Sequence, residues 1–303
     1  MRIASSQYQS SINSAIQLNQ ARITALSEEM ASGNRIQLPS DDPIGNVRVS
    51  RLNREQAIIA QYQDNIASVK TRLTKNEDYL SSMVSDLGQA RDQLVWASDG
   101  GNAASDLNSM TSALASLRDS VFYTANLKDQ EGRYMFSGTA TATAPLSYDA
   151  SLPVGARYSY TGNQGQQLVV VGNGVTQVAN VDVKGLEAML NHLDLAVATL
   201  AVPGVSANDP AVRLVLKANL DGADTAMSAL SGKIATFGGA QNILGTLQNN
   251  QANVSVSNQM ALHDLQAADV GVVATDLNGY QTALAATYKA YAKVGNLSLF
   301  DVL

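Results

Sequence analysis

Proline is absent from two long stretches of this chain, 44–144 and 211–303. All six prolines (Pro39, Pro43, Pro145, Pro153, Pro203 and Pro210) lie outside them. A proline inside a helix costs about 3 kcal/mol, so these are the two stretches where very long helices can form. In the first, Leu52, Ile59, Tyr62, Ile66, Val69, Leu73, Leu80, Met83, Leu87 and Leu94 follow three-four spacing, with Glu55, Asn76 and Ala90 at the missing steps. A seam of that length marks a coiled coil or helix bundle. It predicts a helix from about 52 to 94, weakened at Asn76 and Gly88.

Gly100-Gly101-Asn102 predicts a break, followed by a second helix from about Ser105. Leu107, Met110, Leu114, Leu117 and Val121 form its apolar face, Gly132 marks its end, and the short connection implies an antiparallel hairpin. From 136 to 183 glycine becomes frequent. The runs 157–161, 166–171 and 175–178 read as strands, the last two joined at Gly172-Asn173-Gly174 as a β-hairpin. Leu186, Leu190, Leu193 and Val197 predict a short helix over 185–201. Asn208-Asp209-Pro210 reads as a helix start. The seam then continues from Val212 through Leu216, Met227, Leu230, Ile234, Phe237 and Leu244, with Gly238-Gly239 as a candidate kink.

The two ends are thinner. Ile12, Ile16, Ile23, Leu26 and Met30 obey the same spacing, with Asn19 in the gap, among Ser, Gln, Asn and Ala. Leu277, Leu284, Tyr291 and Val294 do so near the other end. A lone helix of this kind buries too little to offset its ordering entropy. The ends are therefore expected to pair with each other and with neighbouring copies. The fold class is mainly α with a small β-rich insertion: a long antiparallel helical rod built from both chain halves, with an outer β domain. The expected divisions are 1–40 with 266–303 as a terminal coiled coil, 41–135 with 186–265 as the rod, and 136–185 as the outer domain.

Catalysis finds little support. The chain has no Cys and two His, so thiolate chemistry and Cys-ligated metals are excluded. Asp41-Asp42 is the one close carboxylate pair in a loop. With Ser40 before it and Pro43 after, it reads as a helix cap. His192 and His263 are far apart in sequence. Asp149 and Asp182 are sparse acids in an insertion without His. No catalytic, cofactor or metal residues are assigned. A net charge of −6 argues against nucleic acid or an anionic membrane as the main partner. Arg48, Arg51, Arg54, Lys70, Arg72 and Lys75 read as a solvated helix flank. No run approaches the ~18 apolar residues of a membrane span. The opening Met1-Arg2-Ile3-Ala4 lacks the apolar stretch of a cleavable leader, which leaves the cytoplasm or a leaderless export route.

Residues 31–43, Ala-Ser-Gly-Asn-Arg-Ile-Gln-Leu-Pro-Ser-Asp-Asp-Pro, resemble the N-terminal signature of the bacterial flagellin family. Gly132-Arg133-Tyr134-Met135-Phe136-Ser137-Gly138-Thr139 is similar to that family's exit from the helical hairpin, and Leu297-Ser298-Leu299-Phe300-Asp301-Val302-Leu303 to its ending. The resemblance implies an extracellular structural subunit of the flagellum that is no enzyme. It would be exported without a cleaved leader, with its ends unstructured in the free monomer. Copies of the chain would form a ring between a hook-side junction protein and the flagellin filament; the alternative is the filament subunit itself. A cytosolic export chaperone on the C-terminal helix is implied as well. Ile12, Ile16, Ile23, Leu26 and Met30, with Leu277, Leu284, Tyr291 and Val294, would carry assembly. Ser40, Asp41, Asp42 and Pro43 would form the spoke from inner tube to rod.

Overall fold

The structure, a computed structural model, describes residues 2–295, and side chains over 7–293. The Val294 side chain and the 297–303 ending therefore lie outside the described residues. Helices α1 (Arg2–Ser32), α2 (Pro43–Ala97) and α3 (Ala104–Ala125) precede four strands: β1 (Leu146–Tyr148), β2 (Tyr158–Tyr160), β3 (Leu168–Gly172) and β4 (Val175–Val178). Helices α4 (Leu186–Leu200), α5 (Pro210–Gln266) and α6 (Val270–Gly295) follow. The chain is mainly helical with a small β insertion. It divides into two compact units, Ile59–Gln251 and Met1–Ile58 with Ala252–Leu303.

The unit over 59–251 holds the hydrophobic core. The α2 seam from Ile66 to Leu94 is buried along its length, and the gap positions Asn76 and Ala90 are buried with it. Antiparallel α5 supplies the opposite wall: Arg91 meets Asp224 at 2.6 Å, Gln241 Nε2 donates to Glu77 at 2.9 Å, and Lys70 donates to Gln248 at 3.3 Å. Partner numbers fall on α5 as they rise on α2, which fixes direction and register. Helix α5 runs unbroken through Gly238-Gly239, so the candidate kink does not interrupt it. Asp209 Oδ1 accepts the Ala211 N–H at its start, just ahead of Pro210.

Helix α3 turns back along α2, where Ser120 donates to Asp86 at 2.7 Å, and packs on α4. It ends at Ala125, seven residues before the Gly132 read from the sequence. Asn126 is the reason: its backbone leaves helical geometry, and its side-chain Oδ1 accepts the Leu146 N–H, a tertiary partner invisible in the local sequence. Between α3 and α4, Asp194 is buried with Arg118 at 2.9 Å, Arg157 at 3.8 Å and the Gly155 N–H. That network ties the loop after β1 to the helices.

The strands form two antiparallel pairs, β1–β2 and β3–β4. In the second, Leu168 faces Val178 and Val170 faces Thr176, with a bulge before the Asn173-Gly174 turn. The hairpin is pinned to the helices through its backbone: Asn65 donates to the Val170 carbonyl and Gln251 to the Val171 carbonyl, both at 2.7 Å.

Candidate functional site

In the unit over 1–58 and 252–303, α1 lies against α6. Ile12, Ile16, Ile23 and Leu26 of α1 are half-buried, as are Leu277 and Leu284 of α6. Asn19 fills the gap, also half-buried, and Gln20 Nε2 donates to the Tyr288 hydroxyl at 3.0 Å. Met30 and Tyr291 belong to the same proposed set but stay exposed. Among the described side chains of this unit, only Val49 and Val273 are buried apolar residues. The helices meet along a seam of partial contacts with no core behind it.

Below this pair the chain forms a clasp. Gly33 ends α1 in the left-handed region, φ 69°, and its N–H bonds the Glu29 carbonyl. The following residues then pair with the end of α5. The Arg35 N–H donates to Gln266 O at 2.7 Å, the Ala268 N–H donates to Gly33 O at 2.9 Å, and the Arg35 guanidinium reaches Leu265 O at 3.4 Å. Gln37 closes the turn with its amide on the Ser32 hydroxyl and the Asn34 carbonyl. Two segments more than two hundred residues apart in sequence are thus stitched by backbone bonds.

The Asp41-Asp42 pair divides its work. Asp41 turns back and accepts the Gln37 and Leu38 N–H groups at 3.1 and 2.7 Å. Asp42 points forward, accepts the Gly45 N–H at 2.8 Å and meets Arg35 at 3.2 Å. The Gly45 N–H first, and the Arg35 guanidinium second, hold the Asp42 carboxyl below the usual carboxylate range. Pro43 is the first residue of α2. Ser40 sits exposed in the turn and makes no side-chain hydrogen bond among the described residues. A Cβ at Gly45 would lie 2.6 Å from Asp42 Oδ2 and would displace the carboxylate from its place against the Gly45 N–H. Arg35, Gln37, Gly33 and Gly45 were not singled out as functional from the sequence. Gly33, Arg35 and Gln37 lie within the 31–43 motif, but the partners of Gly33 and Arg35 at 265–268 do not.

The second motif has a local explanation of its own. Gly138, φ 70°, packs so closely on Asn163 that any Cβ would overlap the Asn163 carbonyl and side-chain oxygens. Asn163 Oδ1 in turn accepts from Thr139 N, Thr139 Oγ1 and Gly165 N. The acids weighed for chemistry are occupied structurally. Asp149 accepts from the Ser151 hydroxyl and N–H, which lower its pKa. Asp182 accepts from the Lys184 N–H and from Lys233. His192 rests against Gly222, and His263 is exposed on α5. Among the described residues no group of three His, Cys, Asp or Glu could hold a metal ion, and no helix is long and apolar enough to cross a membrane.

Residues 3–141 match the family model of the bacterial flagellin N-terminal helical region. A flagellar hook-associated protein from Vibrio parahaemolyticus is 31% identical, with a TM-score of 0.68, and the match covers 75% of this chain and all of that one. The chain belongs to the flagellin and hook-associated protein family. Within it, flagellar hook-associated protein 3 of Escherichia coli (strain K12) is 28% identical over 299 residues, 94% of each chain. The flagellar junction protein FlgL from Legionella pneumophila shares the fold at 14% identity, with a TM-score of 0.57 over 72% of this chain. These family members are structural proteins of the flagellum.

Proposed function

We propose that this chain is the adaptor subunit of the hook–filament junction. It forms a ring outside the cell between a hook-side junction protein and the flagellin filament, and assembles through α1 and α6. The observation that carries this reading is the imbalance between the two units. A fully buried aliphatic side chain contributes roughly 1.5–3 kcal/mol, while ordering each residue costs about 1–2 kcal/mol in backbone entropy. Helix α1 orders 31 residues and fully buries none of its described side chains. Neighbouring copies are the natural source of the missing burial.

In this reading 1–40 and 266–303 line the inner tube, 41–135 and 186–265 form the rod, and 136–185 faces outward. Ser40 to Pro43 form the spoke, and the exposed Met30 and Tyr291 are contacts kept for other copies. Export without a cleaved leader and an export chaperone on the C-terminal helix belong to the same proposal. The test is deletion of residues 1–35. The remaining chain should stay soluble and melt cooperatively through its 59–251 core, yet be absent from flagella and leave cells without filaments. Filament growth on the truncated protein would refute the scheme. The second reading, a filament subunit, has the match to the flagellin N-terminal region as its one support. Long filaments grown from the purified protein alone would select it.

A further inference from the structure

One cation on α2 departs from the solvated flank expected there. Arg72 is half-buried, whereas Arg48, Arg51, Arg54 and Lys75 are exposed. The Arg72 guanidinium has no ion-pair or side-chain hydrogen-bond partner among the described residues. Burial first, and the Arg133 guanidinium second, hold its pKa below the ordinary arginine value. A desolvated charge without an acceptor costs stability, and native proteins carry few of them.

Two acids stand close by, and both are taken. The Asp129 carboxylate accepts the N–H groups of Glu131 and Arg133, each at 2.9 Å, and Arg133 Nε at 3.2 Å. Glu131 meets the same Arg133 guanidinium at 2.5 Å. With Gly132 in left-handed geometry at φ 77°, these bonds wind 129–133 into a tight turn. Arg133 is satisfied within that turn, and Arg72 is left over. The turn forms one wall of a cleft of about 450 Å³, and α2 forms the other through Ser68, Thr71, Arg72 and Lys75. Ser68, Arg72 and Lys75 follow at steps of four and three residues, so they share a helix face. Lys75 also lacks an ion-pair partner among the described residues. Like charges three apart on a helix repel, and Arg133 adds to the repulsion at Arg72. Three cations against two acids leave the cleft with one positive charge uncompensated.

We propose that this cleft binds the oxyanion, carboxylate or phosphate, of a small polar molecule. Arg72 supplies a planar fork of donors that matches two acceptor oxygens side by side. Lys75 adds charge, and Ser68 and Gln130 offer uncharged hydrogen-bonding groups at the margin. The volume lies within the ~300–1,000 Å³ of small-molecule sites. A bound anion gives Arg72 its missing acceptor and relieves the repulsion from Lys75 and Arg133. The site lies wholly within the 59–251 unit and does not depend on the assembly reading above.

The test uses the purified full-length protein, with ionic strength held constant by sodium chloride. Glucuronate stands for a carboxylate ligand, inorganic phosphate for a phosphate, and glucose is the uncharged control. Calorimetric titration should saturate with glucuronate, with phosphate or with both, and not with glucose. Saturation by only one anion supports the site and names its source. The Arg72 Nε–H resonance, assigned by its absence from Arg72→Gln, should shift along the same binding curve. Arg72→Gln should weaken binding by about tenfold or more, the loss of a charge-assisted hydrogen bond. Without anion it should melt no lower than the unaltered protein, because a desolvated charge has gone. Saturation by neither anion, a resonance that does not move, equal affinity in Arg72→Gln, or glucose binding as tightly as glucuronate overturns the proposal. A lower melting point of anion-free Arg72→Gln marks a purely structural arginine and overturns it as well.

Discussion

Replacing Gly138 by Ala tests the tightest packing point of the strand region. Two costs add. A non-glycine residue at φ 70° loses about 1–2 kcal/mol to left-handed strain. The new methyl group would also overlap both Asn163 oxygens and lie 2.8 Å from its carbonyl carbon. Relief by moving Asn163 is blocked, because its side chain already accepts from Thr139 and Gly165. Overpacking of this kind costs roughly 1–3 kcal/mol. The sum is about 2–5 kcal/mol, and a unit of this size loses roughly 2–4 °C in Tm per kcal/mol. Gly232→Ala is the control. Its Cβ would meet nothing within 4 Å, and a helical Gly→Ala change contributes about 0.5–1 kcal/mol of stability. The two variants should move urea midpoints and melting temperatures in opposite directions. A Gly138→Ala protein that melts with the unaltered chain would refute the crowding argument.

Asp194→Ala removes the buried acceptor shared by Arg118, Arg157 and the Gly155 N–H and leaves Arg118 only the exposed Asp119, so it should cost about 1–3 kcal/mol in urea unfolding, more than Asp221→Ala in the exposed Lys217 pair. Among the described residues neither side-chain polar atom of buried Asn76 finds a partner. Asn76→Leu should therefore stabilise by about 1–3 kcal/mol and raise Tm. The Asp42 carboxyl has a folded-state pKa below its unfolded value. Its contribution is thus fully present above the unfolded value of ~3.9 and is lost as pH falls through the folded one. Hydrogen exchange at the Gly45 amide should accelerate, relative to the intrinsic rate, only below about pH 4, and Asp42→Asn should remove that dependence.

The long elements were legible because their signals are local and repetitive. The α2 seam, the Asn208-Asp209-Pro210 start and the Asn173-Gly174 hairpin each depend on residues close in sequence. The errors arose where a distant group intervenes. Asn126 ends α3 because Leu146 donates to it, and nothing near Gly132 records that. The α2 seam passes through half-buried Gln56, not Glu55, because Ser255 of α5 lies opposite. The 31–43 motif was recognisable, and Asp42 accepts the Gly45 N–H in the first turn of α2. Its clasp with 265–268 depends on partners across the whole chain, which no window of sequence contains. Arg48, Arg51 and Arg54 read as a solvated flank, and all three are exposed on α2.

The Gln20–Tyr288 bond spans 268 positions, and that separation imposes a timetable. A chain delivered end-first, from a ribosome or through a narrow conduit, presents α1 long before α6 exists in the same space. Contacts between distant positions wait on closure of the intervening loop. The Ile59–Gln251 core, whose parts arrive early, can be complete while the first helix still has nothing to lie against. The last few dozen residues therefore decide when the first thirty can settle, and a subunit stalled short of its finish keeps its leading end uncommitted.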